Sequence, residues 1–372
     1  MKKVFYFARD PGGANVIIPI YKESKGRVEQ LIYARDFAIQ RFMAEGISAI
    51  DIERKCQVTE ENIYLLLKEI NPDVVVTGTS LDDFTERYLW KAAERLAIKS
   101  YAILDQWMNL GIRFSKYTYA EEDFYTKCHE HCYLPYKVLV MDQLAKKMLH
   151  EDGVEEDRIV VTGQPHFDTV RAKYDEAKSA YDKNYLNVIF VSEPILNDYD
   201  GNNEEKLYWG YNEMTIFRSL YECLVGVTAT LAKNIRVIIR PHPREDVNKW
   251  KKIIRELRCE HIALELDAQN SSFAVLKSAD IVCGMSSMFL LEAVICEKPV
   301  LSIEIGLCRE NPFVLDKLGI VPSILNMEKL SEKLVALLGE KQRNKQMELQ
   351  EFEFVKNATE NIISAIEEEM DR

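Results

Sequence analysis

The sequence predicts an α/β chain of two doubly wound, Rossmann-like domains facing a cleft, and three observations predict it. Short apolar runs such as Val74-Val-Val76 and Ile235-Arg-Val-Ile-Ile239 have the near-continuous hydrophobicity of parallel strands buried on both faces. Almost every such run is followed by a helical period, the alternation that builds βαβ units. With 372 residues the chain exceeds what one core usually fills, and the alternation starts afresh at Leu186 after a charged stretch. The expected division is a first domain over residues 1–168, a linker over 169–186, a second domain over 187–345, and a C-terminal helix over 346–372.

Composition narrows the function. Hydrophobic residues make up 47% of the chain, ample for two cores. A net charge of −12 with no cluster of cations argues against nucleic acid as a partner, since a duplex-binding surface needs clustered Lys and Arg. Cys56, Cys128, Cys132, Cys223, Cys259, Cys283, Cys296 and Cys308 are scattered, several within apolar strands or helices, and read as buried thiols. The opening apolar run meets Arg9-Asp10 too soon for a signal peptide, and no later run approaches a membrane span, so a reducing cytoplasm is expected. Cys128-His-Glu-His-Cys132 offers five metal-ligand types in a row. In an extended segment only Cys128, Glu130 and Cys132, or His129 and His131, share a face, and no second ligand cluster lies at finger-like spacing. A surface loop or strand is the expectation, with no metal bound.

Taken in order, residues 3–8 form the first strand, and Arg9-Asp-Pro-Gly-Gly-Ala-Asn15 reads as a tight turn into a helix over 16–21. Gly12 and Gly13 there would let backbone approach a ligand closely, although no G-x-G-x-x-G is present and a dinucleotide is not supported. Strands near 28–33 and 49–52 alternate with helices near 36–44 and 60–70. Asn71-Pro72 ends the second of these helices and launches the strand 74–78; Thr79-Ser80 opens a helix over 83–96, and the strand 99–104 ends in Asp105-Gln-Trp107. The aromatic stretch through Arg113, Tyr117, Tyr119 and Tyr125 lacks a clear period. It suits either an acceptor-facing insertion, because sugars stack on aromatic platforms, or a packed surface excursion. Strand 136–140, helix 143–149 and strand 158–161 complete the domain, which closes in a turn from Thr162 to Asp168.

In the second domain a strand from Leu186 is followed by a polar loop over 195–211, expected to be long and mobile. Strands at 235–239, 262–266, 280–283 and 299–303 alternate with helices near 213–232, 246–257, 270–278 and 287–296, and two further helical patterns cover 328–339 and 341–369. The chemistry concentrates between Ile235 and Leu301. One strand stops at Arg240-Pro-His-Pro-Arg244, where prolines on both sides of His242 deny the loop regular hydrogen bonding. Another passes through Gly284 to Ser286-Ser287 and opens an apolar helix carrying Glu292. A helix that begins at paired serines points free N–H groups and hydroxyls at whatever lies above the strand ends, which suits a phosphate. Glu292 lies about one and a half turns into that helix at ~3.6 residues per turn, where its carboxylate would meet the hydroxyls of a ribose. The plain alternatives are that His242 only ends a strand and Ser287 only caps a helix.

The Pro-His-Pro loop together with Ser286-Ser287 resembles the paired HP and SS motifs of bacterial sialyltransferases and polysialyltransferases and of teichoic-acid glycerophosphotransferases. The segment from Gly284 to Pro299 is also similar to the corresponding helix of non-hydrolysing UDP-N-acetylglucosamine 2-epimerases and UDP-sugar transferases, in which a glutamate grips the uridine ribose. The turn over 162–168 resembles the one that closes the first domain of these proteins. The resemblance spans most of the chain, but only the second-domain motifs are specific. It implies a GT-B fold whose last helix crosses back to the first domain, with the ligand held between domains.

On that resemblance the expected activity is a metal-independent glycosyltransferase without cofactor. It would move a sugar or glycerol phosphate from a nucleotide-activated donor, a CMP-sugar being favoured, to a surface polysaccharide or glycoconjugate. The partners implied are that donor, a carbohydrate or lipid-linked acceptor and, peripherally, the membrane. Arg240, His242 and Arg244 would neutralise and hydrogen-bond the leaving phosphate, with Gly284, Ser286, Ser287 and Glu292 completing the nucleotide site. Asp105 is the expected acceptor base, since it ends a buried strand where ligands of open α/β sheets lie and matches an acidic position of the epimerases; Asp10 is the runner-up. The competing expectations are a 2-epimerase-like isomerase, disfavoured because Gly78-Thr79-Ser80 stands where that enzyme has an acid, and a non-catalytic polysaccharide-assembly protein.

Overall fold

β1 (Lys3–Ala8) lies inside a seven-stranded sheet whose order is β3-β2-β1-β4-β5-β6-β7. The other strands are β2 (Glu29–Ala34), β3 (Ile50–Asp51), β4 (Val74–Thr77), β5 (Lys99–Ile103), β6 (Lys137–Val140) and β7 (Ile159–Val161). Every pairing in it is parallel. The computed structural model describes residues 1–201, 203, 206–231, 233–338 and 354–370. The chain divides into two compact units, Met1–Thr169 with the C-terminal segment from residue 353, and Val170–Phe352.

Side-chain alternation along β1 builds two cores in the first unit. Val4, Tyr6 and Ala8 face Ile17, Ile20 and Phe42, whereas Phe5 and Phe7 face Ile63, Leu67 and Leu89. The helix Ala358–Met370 belongs to this unit and buries Ile362, Ile363 and Ile366 in the first of these cores. Each such side chain contributes roughly 1.5–3 kcal/mol by apolar area. Asp168 fixes the start of that helix by accepting the N–H and the hydroxyl of Thr359, each at 2.8 Å.

In the second unit β8 (Leu186–Val191), β9 (Ile235–Arg240), β10 (Ile262–Leu266), β11 (Ile281–Gly284) and β12 (Val300–Ser302) form a five-stranded parallel sheet in the order β10-β9-β8-β11-β12. Phe190, Phe217 and Trp250 meet edge to face over one side of it, with ring centroids 5.1–5.8 Å apart.

Several local expectations are corrected. The first helix is Pro11–Glu23 rather than 16–21, because Pro11 supplies a preset φ at its start; Gly12 and Gly13 therefore sit in its first turn, not in a loop. Of the two readings left open for the stretch after Trp107, the packed one holds: Trp107, Ile112, Arg113, Phe114 and Tyr125 are buried, and Arg87 pins it by donating to the carbonyls of Ile112 and Arg113. Cys128 ends a helix, Glu122–Cys128, and His129 is its left-handed cap with φ 45°, so the 128–132 segment is not extended. The helix Pro165–Glu176 runs through both the expected closing turn and the start of the expected linker. The loop over 195–211 holds a short helix, Ile195–Asp198, and buries Asp200 and Tyr211. A short helix at Val314–Lys317 carries no sequence signal strong enough to predict it. Of the helical pattern over 341–369, residues 341–353 lie outside the described residues.

Candidate functional site

Each sheet reverses its strand order once, and the reversal is where open α/β sheets leave a crevice at the carboxyl ends of their strands. In the first unit the switch point lies between β1 and β4, in the second between β8 and β11. Most of the residues singled out from sequence lie on the loops at these two places or beside them.

At the second-unit switch point, Gly284 lets β11 approach β8 closely, since a Cβ there would meet the Val191 carbonyl oxygen at 3.0 Å. The chain then turns through Ser286 to Ser287, which caps the helix Met288–Ile295 by accepting the Phe289 N–H at 3.3 Å. Ser286 faces the loop after β8. Its N–H donates to Glu193 Oε2 at 2.7 Å and its hydroxyl to Glu193 Oε1 at 2.9 Å. Burial drives the Glu193 pKa up to about 7 despite those two bonds, with Glu213 and Glu245 adding to the rise. Glu292 is half-buried on the helix, between buried Leu291 and Ala293.

The Pro-His-Pro loop follows β9, the neighbour of β8. Glu245 organises it, accepting the His242 N–H at 2.5 Å, the Ser192 hydroxyl at 2.7 Å and the Lys249 ammonium at 2.7 Å. Lys249 also pairs with Glu213, so one cation serves two buried carboxylates. His242 Nδ1 accepts the Arg244 N–H at 3.2 Å, which leaves the ring proton on Nε2. Burial, with the Arg244 charge second, pushes its pKa down to about 4. His242 is therefore a neutral hydrogen-bond donor near pH 7, suited to hydrogen-bonding a phosphate, with any neutralising charge left to the arginines. Arg240 pairs with Asp267 at 3.2 Å and Arg244 with Asp198 at 2.9 Å, each through one guanidinium nitrogen, which leaves further N–H donors on both.

In the first unit Asp105 follows β5 and reaches back over the first turn of the helix Pro11–Glu23. Its Oδ2 occupies the space a Cβ on Gly12 would fill, and a Cβ on Gly78 would meet the Gly13 α-carbon at 2.6 Å. Gly12 thus admits Asp105, and Gly78 admits the Gly13 backbone. Asp105 Oδ1 has no hydrogen bond among the described residues and lies 3.7 Å from the Arg113 guanidinium. Burial raises the Asp105 pKa, Arg113 opposes the rise, and Asp10 adds to it. Asp10 itself pairs with Arg9 at 2.8 Å. Glu86 was missed by sequence reading, because one acid on an amphipathic helix carries no signal. It is buried, accepts the Ser80 hydroxyl at 3.1 Å, and leaves Oε2 without a hydrogen bond. Burial first, then Asp83 and Asp10, raise its pKa to about 8.

Glu304 was missed likewise. It stands just past β12, is fully buried, and neither carboxyl oxygen has a hydrogen-bond partner among the described residues. Burial and the Glu193 charge put its pKa at about 8. In the 128–132 segment His129 pairs with Asp152 at 2.5 Å, and His131 meets Tyr125 at 2.9 Å. Among the described residues no group of three or more His, Cys, Asp and Glu side chains is arranged to hold a metal ion, and no helix is long and apolar enough to cross a membrane.

Two parallel sheets flanked by helices, with one switch point in each, give an α/β chain of the GT-B fold, two Rossmann-like domains in one polypeptide. No family model and no curated protein matches the sequence. Solved structures do match. A putative UDP-N-acetylglucosamine 2-epimerase from Listeria monocytogenes aligns with a TM-score of 0.70 at 15% identity, over 100% of this chain and 97% of its own. The UDP-GlcNAc 2-epimerase from Neisseria meningitidis, bound to UDP-GlcNAc, aligns with a TM-score of 0.66 at 15% identity, over 98% and 100%. HepE from Anabaena, in complex with UDP and glucose, aligns with a TM-score of 0.59 at 12% identity, over 99% and 100%.

Proposed function

We propose that the chain is a nucleotide-sugar enzyme, and within that class a metal-independent glycosyltransferase. One observation supports the reading: His242 follows β9 and the Ser286-Ser287 helix entrance follows β11, the two strands that flank β8 beside the β8/β11 switch point. Nε2–H of His242, the N–H and hydroxyl of Ser286, and the partial positive charge of the helix entrance are donors that suit a leaving phosphate. Glu292 serves the ribose. Asp105, its pKa raised, is the proposed base for the acceptor hydroxyl, with Asp10 second. The acceptor class proposed is a surface polysaccharide or glycoconjugate.

The HP and SS pair favours a cytidine-linked donor, whereas the solved neighbours that carry a nucleotide carry UDP or UDP-GlcNAc. A thermal-shift panel of CMP, CDP and UDP tests both the class and the base. Stabilisation by CMP or CDP above UDP supports cytidine, and the reverse order overturns it. No shift with any of the three overturns the nucleotide reading.

A second reading, a 2-epimerase-like isomerase, is favoured by Glu86. That buried acid accepts the Ser80 hydroxyl on the loop after β4, and the charge of Asp10 acts on both Glu86 and Asp105. Two carboxyls with raised pKa values suit proton removal and return at a sugar carbon. Incubation with UDP-GlcNAc in heavy water separates the readings, since epimerisation places deuterium on carbon 2 of the sugar and transfer does not.

A further inference from the structure

Ser286, the residue best placed to hold an anion in the second unit, already holds one. Its N–H and hydroxyl converge on the two oxygens of Glu193 at 2.7 and 2.9 Å, at the entrance of the helix Met288–Ile295. A carboxylate gripped by two donors at a helix entrance sits as two oxygens of a phosphoryl group would. We propose that Glu193 is the resident anion of this site, and that a nucleotide phosphate binds there only by driving the Glu193 carboxylate out. This inference rests on the nucleotide-binding reading above.

The surroundings show why the two anions exclude each other. Glu213, from the helix Glu213–Val227, and Glu245, from the loop after β9, both raise the Glu193 pKa. Glu304, beyond β12, is fully buried, feels the Glu193 charge and has no hydrogen-bond partner of its own among the described residues. The Tyr211 hydroxyl likewise has no partner among the described residues and feels both Glu304 and Glu193. The nearby cations are committed: Lys249 to Glu213 and Glu245, Arg240 to Asp267, Arg244 to Asp198. Glu213 and Glu245 share Lys249, and a phosphate entering this setting meets the Glu193 carboxylate, which occupies its place on Ser286. Rotation of the side chain empties the site, and protonation removes the charge that defends it. With its pKa held up at about 7, the second route operates near neutrality.

The test is calorimetric binding of UDP-GlcNAc and of CDP-glycerol, diphosphate diesters that do not titrate between about pH 6 and 8, to the full chain and to Glu193→Gln and Glu193→Ala. Both variants are expected to bind at least about tenfold more tightly than the parent at pH 8, with the gap closing towards pH 6. A carboxylate that must take up a proton at about pH 7 weakens binding roughly tenfold over that interval. Equal or weaker binding by both variants overturns the gate and leaves the nucleotide reading standing. No binding by any of the three proteins overturns the nucleotide reading itself. The glutamine variant keeps the side-chain shape, so a folding defect in the alanine variant leaves the experiment intact.

Discussion

The Asp105 carboxylate lies over the α-carbon of Gly12, filling the space that a side chain at that position would take. Gly12, in the first turn of the helix after β1, is therefore required by Asp105, and Gly78, just past β4, is required by the close approach of Gly13.

The two glycine contacts should separate function from stability. Gly12→Ala displaces only the far end of Asp105, so a small change in melting temperature with a large loss of turnover is expected. Gly78→Ala sets a methyl group 2.6 Å from the Gly13 backbone, an overpacking that costs about 1–3 kcal/mol. Calorimetric unfolding of both variants checks the order, and equal destabilisation would contradict it.

Asp105→Asn keeps the shape and removes the base. Donor affinity should stay near that of the parent while turnover falls ~10²–10⁴-fold. Near-parent turnover in Asp105→Asn moves the role to Asp10, which Asp10→Asn tests in the same assay.

In the second unit, His242→Ala and the double change Ser286→Ala with Ser287→Ala should each weaken nucleotide binding by about 1.5–3 kcal/mol, or roughly ten- to a hundredfold. The serine pair also removes the hydroxyl bond that holds Glu193 in the site, so its loss should be the smaller. Glu292→Gln should weaken ribonucleotides more than 2′,3′-dideoxy analogues in equilibrium titrations. Equal weakening would assign Glu292 to packing.

Glu304 carries a pH prediction. A buried carboxyl whose folded pKa is raised from 4.5 to about 8 binds its proton more tightly folded than unfolded. Its contribution is therefore fully present below about pH 4.5 and is lost as pH rises towards 8. Glu304→Gln should accordingly gain stability relative to the parent as pH rises, on the order of 1–3 kcal/mol at pH 8, the scale of a buried group left unsatisfied. Urea unfolding at pH 5 and pH 8 measures it, and a pH-independent difference would remove Glu304 from the titrating set.

The elements that sequence describes well are those whose causes are local. The helix Glu60–Ile70 has a Thr59 cap and an Asn71 in the left-handed conformation before Pro72, and its bounds follow from those residues alone. Ser287 as a cap and His242 at a strand end are legible for the same reason. The stretch after Trp107 was illegible because Arg87, from another helix, orders it through carbonyl contacts that leave no periodic trace.

From the sequence alone came the alternation of parallel strand and helix, the restart near Leu186, and the placement of acids, serines and histidine at strand ends, because hydrophobic period and turn chemistry act over a few residues. Only the tertiary structure decided which of those ends meet. Ser286 finds Glu193 across 93 residues, and Asp105 finds Gly12, because each sheet reverses its strand order once. Parallel neighbours need not be consecutive in the chain, so that reversal is fixed by how the strands pack together. Burial then set the charges, holding Glu193, Glu86 and Glu304 near neutral pKa values and His242 uncharged, since desolvation depends on the whole fold around a group.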